Sequence, residues 1–165
     1  MSSDDQWIGI YRSTVEPLYR FVSRRTGGLR QLTEDVVQES YLRAIGQFGD
    51  VGAPREPLAW LKTVARNLLS GHYRRIAPAT LDPATLDTLL ESKSMADSEA
   101  VQAVQAGLAR IGAPQARLLE AFHLDGMDVR AIAKEWGISE RAVEGRLRRA
   151  RQALRRSLIK GGARP

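Results

Sequence analysis

The stretch that decides the fold is Val129-Arg-Ala-Ile-Ala-Lys-Glu-Trp-Gly-Ile-Ser-Glu-Arg-Ala-Val143. Ile132 and Trp136 stand four apart, on one face of a first helix, and the small Ala133 lies where a second helix must come close. Gly137 permits a tight turn, Ile138 anchors it, and Ser139 is placed to cap the next helix through its hydroxyl. From Val143 the apolar residues Leu147, Ala150, Leu154 and Leu158 continue at i+4, i+7, i+11 and i+15, a stripe on one face. This is a helix-turn-helix pattern, whose second helix enters the major groove of DNA. Around the stripe lie Arg141, Arg146, Arg148, Arg149, Arg151, Arg155 and Arg156. In the first turns, Glu140, Arg141 and Glu144 stand where base edges are read, Arg suiting guanine and Glu suiting cytosine. The arginines from Arg146 onward suit phosphates, which fix register without reading sequence.

Working outward, nearly the whole chain reads as helix. Ile10, Tyr11, Val15, Leu18, Phe21 and Val22 recur at helical steps between Trp7 and Arg25, and Gly27-Gly28 ends that run. Thr33 followed by Glu34-Asp35 predicts the start of a second helix, to about Phe48, with Val37, Tyr41, Ala44, Ile45 and Phe48 on its core face. Asp35, Gln38, Glu39 and Leu42 occupy the opposite face. After the Gly- and Pro-bearing loop 49–54, a third helix is predicted from Glu56-Pro57 towards Arg75. Trp60 fits the Leu61/Val64/Leu68 face and reads as core rather than as a stacking wedge, while Tyr73 is open between DNA contact and packing. From Ile76 to about Ser98 the periodicity lapses among Pro78, Pro83 and many Thr, Ser and Asp, giving a linker with one short helical turn at Thr85–Leu90. The fold class is therefore all-α: two small helical lobes joined by a flexible linker, each lobe marginal in stability by itself.

Charge follows the same division. The 165 residues carry 25 Lys+Arg and 19 Asp+Glu, a net of +6. Residues 1–75 are net +3, residues 76–100 net −4 and residues 101–165 net +7, with nine basic residues and one acid between Arg141 and Arg164. A basic terminal block beside an acidic middle is the electrostatic footprint of a polyanion-binding module. A hydrophobic content of 43% is that of a folded chain, and the 27% of charged residues, with no long apolar run, excludes a spanning helix. The acidic start MSSDDQWIGIYR is unlike a signal peptide, so a cytoplasmic location is expected. The absence of Cys excludes disulfides and thiolate chemistry. His72 and His123 are isolated, without metal-ligand spacing, and neither metal nor other cofactor is expected. No phosphate loop or acid–base constellation points to an enzyme.

Two further stretches sharpen the reading: Asp35-Val-Val-Gln-Glu-Ser-Tyr-Leu-Arg-Ala44 and Leu58-Ala-Trp-Leu-Lys-Thr-Val-Ala-Arg-Asn-Leu-Leu-Ser-Gly-His-Tyr-Arg-Arg75. Together they resemble region 2 of the extracytoplasmic-function (ECF) sigma factors of bacterial RNA polymerase. The helix-turn-helix with Arg146-Leu-Arg-Arg-Ala-Arg151 resembles their region 4. The resemblance covers about residues 10–75 and 101–158, in the family's order. It implies an alternative sigma factor that binds core RNA polymerase and directs initiation at promoters with −10 and −35 elements. The implied division is 1–76 for region 2, 77–98 for an acidic linker and 99–165 for region 4.

What the family does with each motif carries over by position. Asp35, Gln38, Glu39 and Leu42 would bind the clamp helices of the polymerase largest subunit, carboxylates and an amide suiting an arginine-rich helix. The loop Phe48–Glu56, with Phe48, Asp50 and Arg55, and the third helix, with Arg66, Asn67, His72, Arg74 and Arg75, would hold melted −10 DNA, a flipped base in the loop and phosphates along the helix. Ser139, Glu140, Arg141, Glu144, Arg146, Arg148 and Arg149 would meet the −35 duplex. The polymerase flap and an anti-sigma factor are further implied partners, and the linker would thread towards the polymerase channels. Gly71 stands where an acid is common in the family, Gly145 where a serine is, and Asp128-Val129 replace an aromatic-acid opening, which bears on promoter preference. A stand-alone helix-turn-helix regulator would leave the Asp35–Glu39 face unexplained. A sigma mimic that titrates an anti-sigma factor would not need the arginines.

Overall fold

The computed structural model describes residues 2–76, 83–91 and 98–160. Among them every regular element is helical: α1 Ser3–Thr26, α2 Arg30–Phe48, α3 Pro57–Arg75, α4 Pro83–Glu91, α5 Ser98–Leu108, α6 Ala113–His123, α7 Val129–Trp136 and α8 Glu140–Lys160. By packing, the chain divides into residues 1–69 and 70–165, so the boundary falls inside α3.

In the first unit α1 and α2 form a hairpin whose ends are set by local chemistry. Ser2 caps α1 and exchanges hydrogen bonds with Asp5 in a capping box, and Gly27, at φ 66°, closes it in the left-handed conformation. The second helix begins a turn earlier than its sequence suggests. Thr33 is not a cap: it is fully buried inside α2, its hydroxyl 2.7 Å from the Leu29 carbonyl oxygen and 2.7 Å from the Thr26 hydroxyl. Leu29 takes the cap position without a side-chain bond, because the Gly27-Gly28 turn leaves so short a connection. Along the hairpin the Thr14 and Tyr41 hydroxyls bond at 2.6 Å, and the Tyr11 and Tyr41 rings lie 5.0 Å apart. The buried residues of α2 include Val36, Val37, Tyr41 and Ala44. Ile45, expected in this core, is 48% exposed. In α3 the buried residues of this unit are Leu61, Ala65 and Leu69, one helical stripe, whereas Trp60 is half-buried and meets Phe48 edge-on at 5.1 Å. That contact ties the two ends of the loop 49–56 together.

The second unit is built around α8. Its stripe Val143, Leu147, Ala150, Leu154 and Leu158 is buried throughout, at 2% exposure or less, and shares one core with Val104, Leu108, Leu118, Leu119 and Ile132. Each large aliphatic side chain so buried contributes about 1.5–3 kcal/mol. Two segments outside the helix-turn-helix also belong to this unit. The expected linker turn is the nine-residue helix α4, with Leu86 and Leu90 in the core and Asp87 paired to Arg155. The end of α3 is held as well. Tyr73 is fully buried and bonds Gln102, which settles its role as packing, and burial pushes its phenol up to about 12. Arg74 Nε donates to the Ala109 carbonyl at 3.1 Å, and the Arg110 guanidinium to that of Ile76 at 2.9 Å.

Candidate functional site

The helix-turn-helix is formed as its sequence dictates. Asp128 caps α7 by accepting from the Ala131 N–H at 2.7 Å, so the departure from the family's usual opening here supplies a helix cap. Gly137 turns the chain at φ 65°, and Ile138 N–H returns to the Ala133 carbonyl at 3.1 Å. Ser139 Oγ accepts from Ala142 N–H at 3.1 Å, so the predicted cap is real and one turn-opening N–H of α8 is satisfied. Because five residues of α8 are locked in the core, the rotation of the helix is fixed. Ser139, Glu140, Arg141, Glu144, Arg146, Arg148 and Arg149 are all thereby exposed. Arg155 and Arg151 differ from them. Arg155 is paired with Asp87, and Arg151 lies 5.3 Å over the Phe122 ring, half-buried, with burial lowering its pKa.

On α2, Asp35, Gln38 and Leu42 are exposed and Glu39 is half-buried. Asp35 accepts from Gln31 at 2.9 Å and Glu39 from Arg43 at 3.0 Å, both one turn away on the same helix. These pairs are solvent-exposed, so exchanging them for an outside cation costs little. Leu42 is 57% exposed, and Ile45 extends the same face by one turn. That Ile45 belongs to the surface was not read from the sequence, since a lone Ile at helical spacing from Tyr41 also fits the core.

The residues assigned to single-stranded DNA are brought to two places. At the loop, Asp50 and Arg55 are exposed beside the half-buried Phe48, and Val51, which sequence reasoning passed over, is 79% exposed at the tip. Backbone bonds from Val51 and Gly52 N–H to the Phe48 carbonyl, at 3.2 and 3.0 Å, shape that tip. Along α3, Asn67 and Arg75 are exposed. Arg66 is half-buried, 5.4 Å from the Phe21 ring centroid, together with Lys62 at 5.4 Å and the buried Arg25 at 3.5 Å. His72 is half-buried and stacks edge-on with Tyr73 at 5.2 Å, whereas Arg74 is exposed but spends its Nε on Ala109. His123, isolated in the sequence, is 6% exposed, and burial lowers its pKa to about 4. No group of three His, Asp or Glu side chains stands together among the described residues, and no described helix is long and apolar enough to cross a membrane.

An exposed basic recognition helix in one unit and an acid–amide–apolar helix face in the other are what a transcription initiation factor of the sigma-70 class requires. Comparison with known sequences agrees: the family description Sigma-70 region 2 matches residues 10–77, and Sigma-70, region 4 matches residues 102–154. Over 157 residues the chain is 32% identical to the ECF RNA polymerase sigma factor SigL of Mycobacterium tuberculosis, covering 90% of this chain and 86% of that protein. It is 28% identical over 167 residues to the ECF sigma factor BldN of Streptomyces coelicolor, spanning 93% of this chain and 61% of that longer protein. With ECF sigma factor SigC of M. tuberculosis the identity is 27% over 146 residues, 87% of this chain and 78% of that protein. The chain belongs to the ECF family of RNA polymerase sigma factors: it is an alternative sigma factor, which binds core polymerase and promoter DNA and directs transcription initiation.

Proposed function

We propose that the three surfaces divide the work of initiation as follows. Asp35, Gln38, Glu39 and Leu42 on α2, with Ile45 beside them, hold the clamp helices of the polymerase largest subunit. The loop with Phe48, Asp50 and Arg55, and the α3 residues Arg66, Asn67, His72, Arg74 and Arg75, hold the opened −10 element. Ser139, Glu140, Arg141, Glu144, Arg146, Arg148 and Arg149 hold the −35 duplex, with the polymerase flap positioning that lobe. Residues 1–76 and 99–165 are the two functional parts and 77–98 their connection. The protein works in the cytoplasm, and an anti-sigma factor restrains it by covering these same surfaces.

One observation carries the polymerase assignment. A leucine 57% exposed is flanked along one helix face by Asp35, Gln38 and Glu39. An exposed apolar side chain among carboxylates fits a partner helix that is basic and amphipathic. The test is transcription of genomic promoter fragments by purified core polymerase, with this chain or its Asp35→Ala/Gln38→Ala/Glu39→Ala variant. Because the replaced side chains are solvent-facing, the variant keeps its helicity and its binding to isolated duplex, and loses transcription and core binding. A variant that transcribes normally overturns the assignment of this face.

A further inference from the structure

Two glycines of the C-terminal unit stand in helices for different reasons. At Gly107 in α5 a Cβ would come within 2.9 Å of the Leu154 and Leu158 side chains, so the packing of α5 on α8 demands glycine there. At Gly145 in α8 it would meet nothing closer than the Arg149 guanidinium at 3.6 Å and that of Arg148 at 4.0 Å, the far ends of two flexible side chains. Folding gives no reason for glycine at this point, and a glycine inside a helix is less stable than an alanine. Its place on the helix supplies a reason. Gly145 is two residues from both Val143 and Leu147, about 200° round the helix from each, and so at the middle of the side opposite the buried stripe. Arg141, exposed, stands one turn before it on that same side. Gly9, Gly46 and Gly71 are uncrowded too, but none lies on a surface assigned to duplex DNA.

We propose that Gly145 selects a thymine: the bare backbone at this point of α8 takes up the C5 methyl group of one thymine of the −35 duplex, beside the base pair that Arg141 meets. The proposal rests on the −35 assignment of α8 given above. The thymine methyl is the apolar group that base pairs present in the major groove, and it packs against apolar carbon. A helix whose rotation is fixed by its buried stripe turns its middle line to the floor of the groove. A side chain on that line holds the backbone off the bases, whereas glycine lets it come close. In the free protein the Arg148 and Arg149 heads lie over the spot. The phosphates on either side of the groove draw them away, which uncovers the glycine as the helix enters. The space is one methyl group deep, so a thymine methyl or an alanine Cβ can fill it, but not both.

The test sets one methyl group against another. A promoter fragment selected from genomic DNA by core polymerase with the full chain is synthesised with uracil for thymine, one −35 position at a time. Its binding is titrated with the native chain and with Gly145→Ala, each in complex with core polymerase. For the native chain, one of these uracils weakens binding about fourfold, the worth of a lost methyl contact. Gly145→Ala binds the fragment with all its thymines at least about tenfold more weakly than the native chain does, and the same uracil restores it to within about threefold. The urea midpoint of the variant equals or exceeds that of the native chain, so the loss is not one of folding. The proposal is overturned by a variant that binds as the native chain does, by a loss that no uracil relieves, or by native binding that no uracil weakens. If native binding is indifferent to every change of sequence in the −35 element, the −35 assignment itself fails and this selection with it.

Discussion

Replacing His123 with leucine removes the pH dependence of the C-terminal core. The imidazole is 6% exposed, neither ring nitrogen has a protein hydrogen-bond partner, and it borders a cavity of about 10 Å³ with Leu90, Val104, Leu108, Leu119, Glu120 and Leu154. Burial is the main reason its pKa falls from 6.5 to about 4, with the positive charge of Arg151 adding to it. The folded state thus resists a proton that the unfolded chain accepts. The associated stability is present above pH 6.5 and is lost as pH falls towards 4. At 1.36 kcal/mol per pH unit the whole effect is about 3 kcal/mol, and about 2 kcal/mol of it is lost between pH 7 and pH 5. Native-state hydrogen exchange at the buried amides of Leu147, Ala150 and Leu154 reads the opening free energy of this unit. The native chain loses about 2 kcal/mol more between these pH values than His123→Leu does. At neutral pH the variant is at least as stable, since leucine leaves no unsatisfied ring nitrogen. Equal pH dependence in the two chains, or an imidazole resonance that titrates near 6.5, refutes the reasoning.

Other expectations concern the helix-turn-helix itself. Gly137→Ala forces a side chain into the left-handed conformation at φ 65° although the added carbon has open space around it, so the cost is that of the backbone alone. Urea unfolding shows a loss of about 1–2 kcal/mol; an unchanged midpoint would mean that the turn relaxes. Arg141→Ala and Arg149→Ala separate base reading from phosphate gripping. The first weakens the preferred −35 duplex roughly 10–100-fold and relaxes selection at one position, whereas the second weakens all sequences alike and lowers the salt slope by about 1. Duplex titrations at several salt concentrations check both, and a uniform loss for Arg141→Ala would place it on the backbone.

The parts of the fold legible in the sequence were those specified by short-range chemistry. Gly137 and Ser139 fix the turn within a few residues, and the stripe from Val143 to Leu158 repeats often enough to leave one rotation of α8. The start of α2 was misplaced for the complementary reason. Thr33 beside two acids satisfies every local rule for a cap, but its hydroxyl is claimed by Thr26 across the hairpin, a partner that only the folded pair of helices provides. Ile45 shows the same limit. Three residues from Leu42 and four from Tyr41, it stands on the edge between the two faces of α2, and spacing alone does not say on which side it falls. Among the candidate site residues, those on α8 are legible because the buried stripe dictates which side chains face outward. For Arg66 and Arg74 on α3 the basic pattern was visible, but their engagement with Phe21 and the Ala109 carbonyl was not.

The linker is where local reading and packing part most clearly, and the reason is size. The residues that match region 4, 102–154, are fewer than sixty, and a domain of about that length buries only about 60% of the surface its chain exposes when unfolded. Such a core gains from any apolar surface that can be added to it. Leu86 and Leu90 supply that surface from this chain, and Tyr73 is buried in the same unit with its hydroxyl bonded to Gln102. Two leucines and a tyrosine represent about 5–9 kcal/mol of burial in total, a large share of the stability of so small a unit. The stability of the recognition helix in the free protein is therefore set in part by side chains that lie outside the helix-turn-helix.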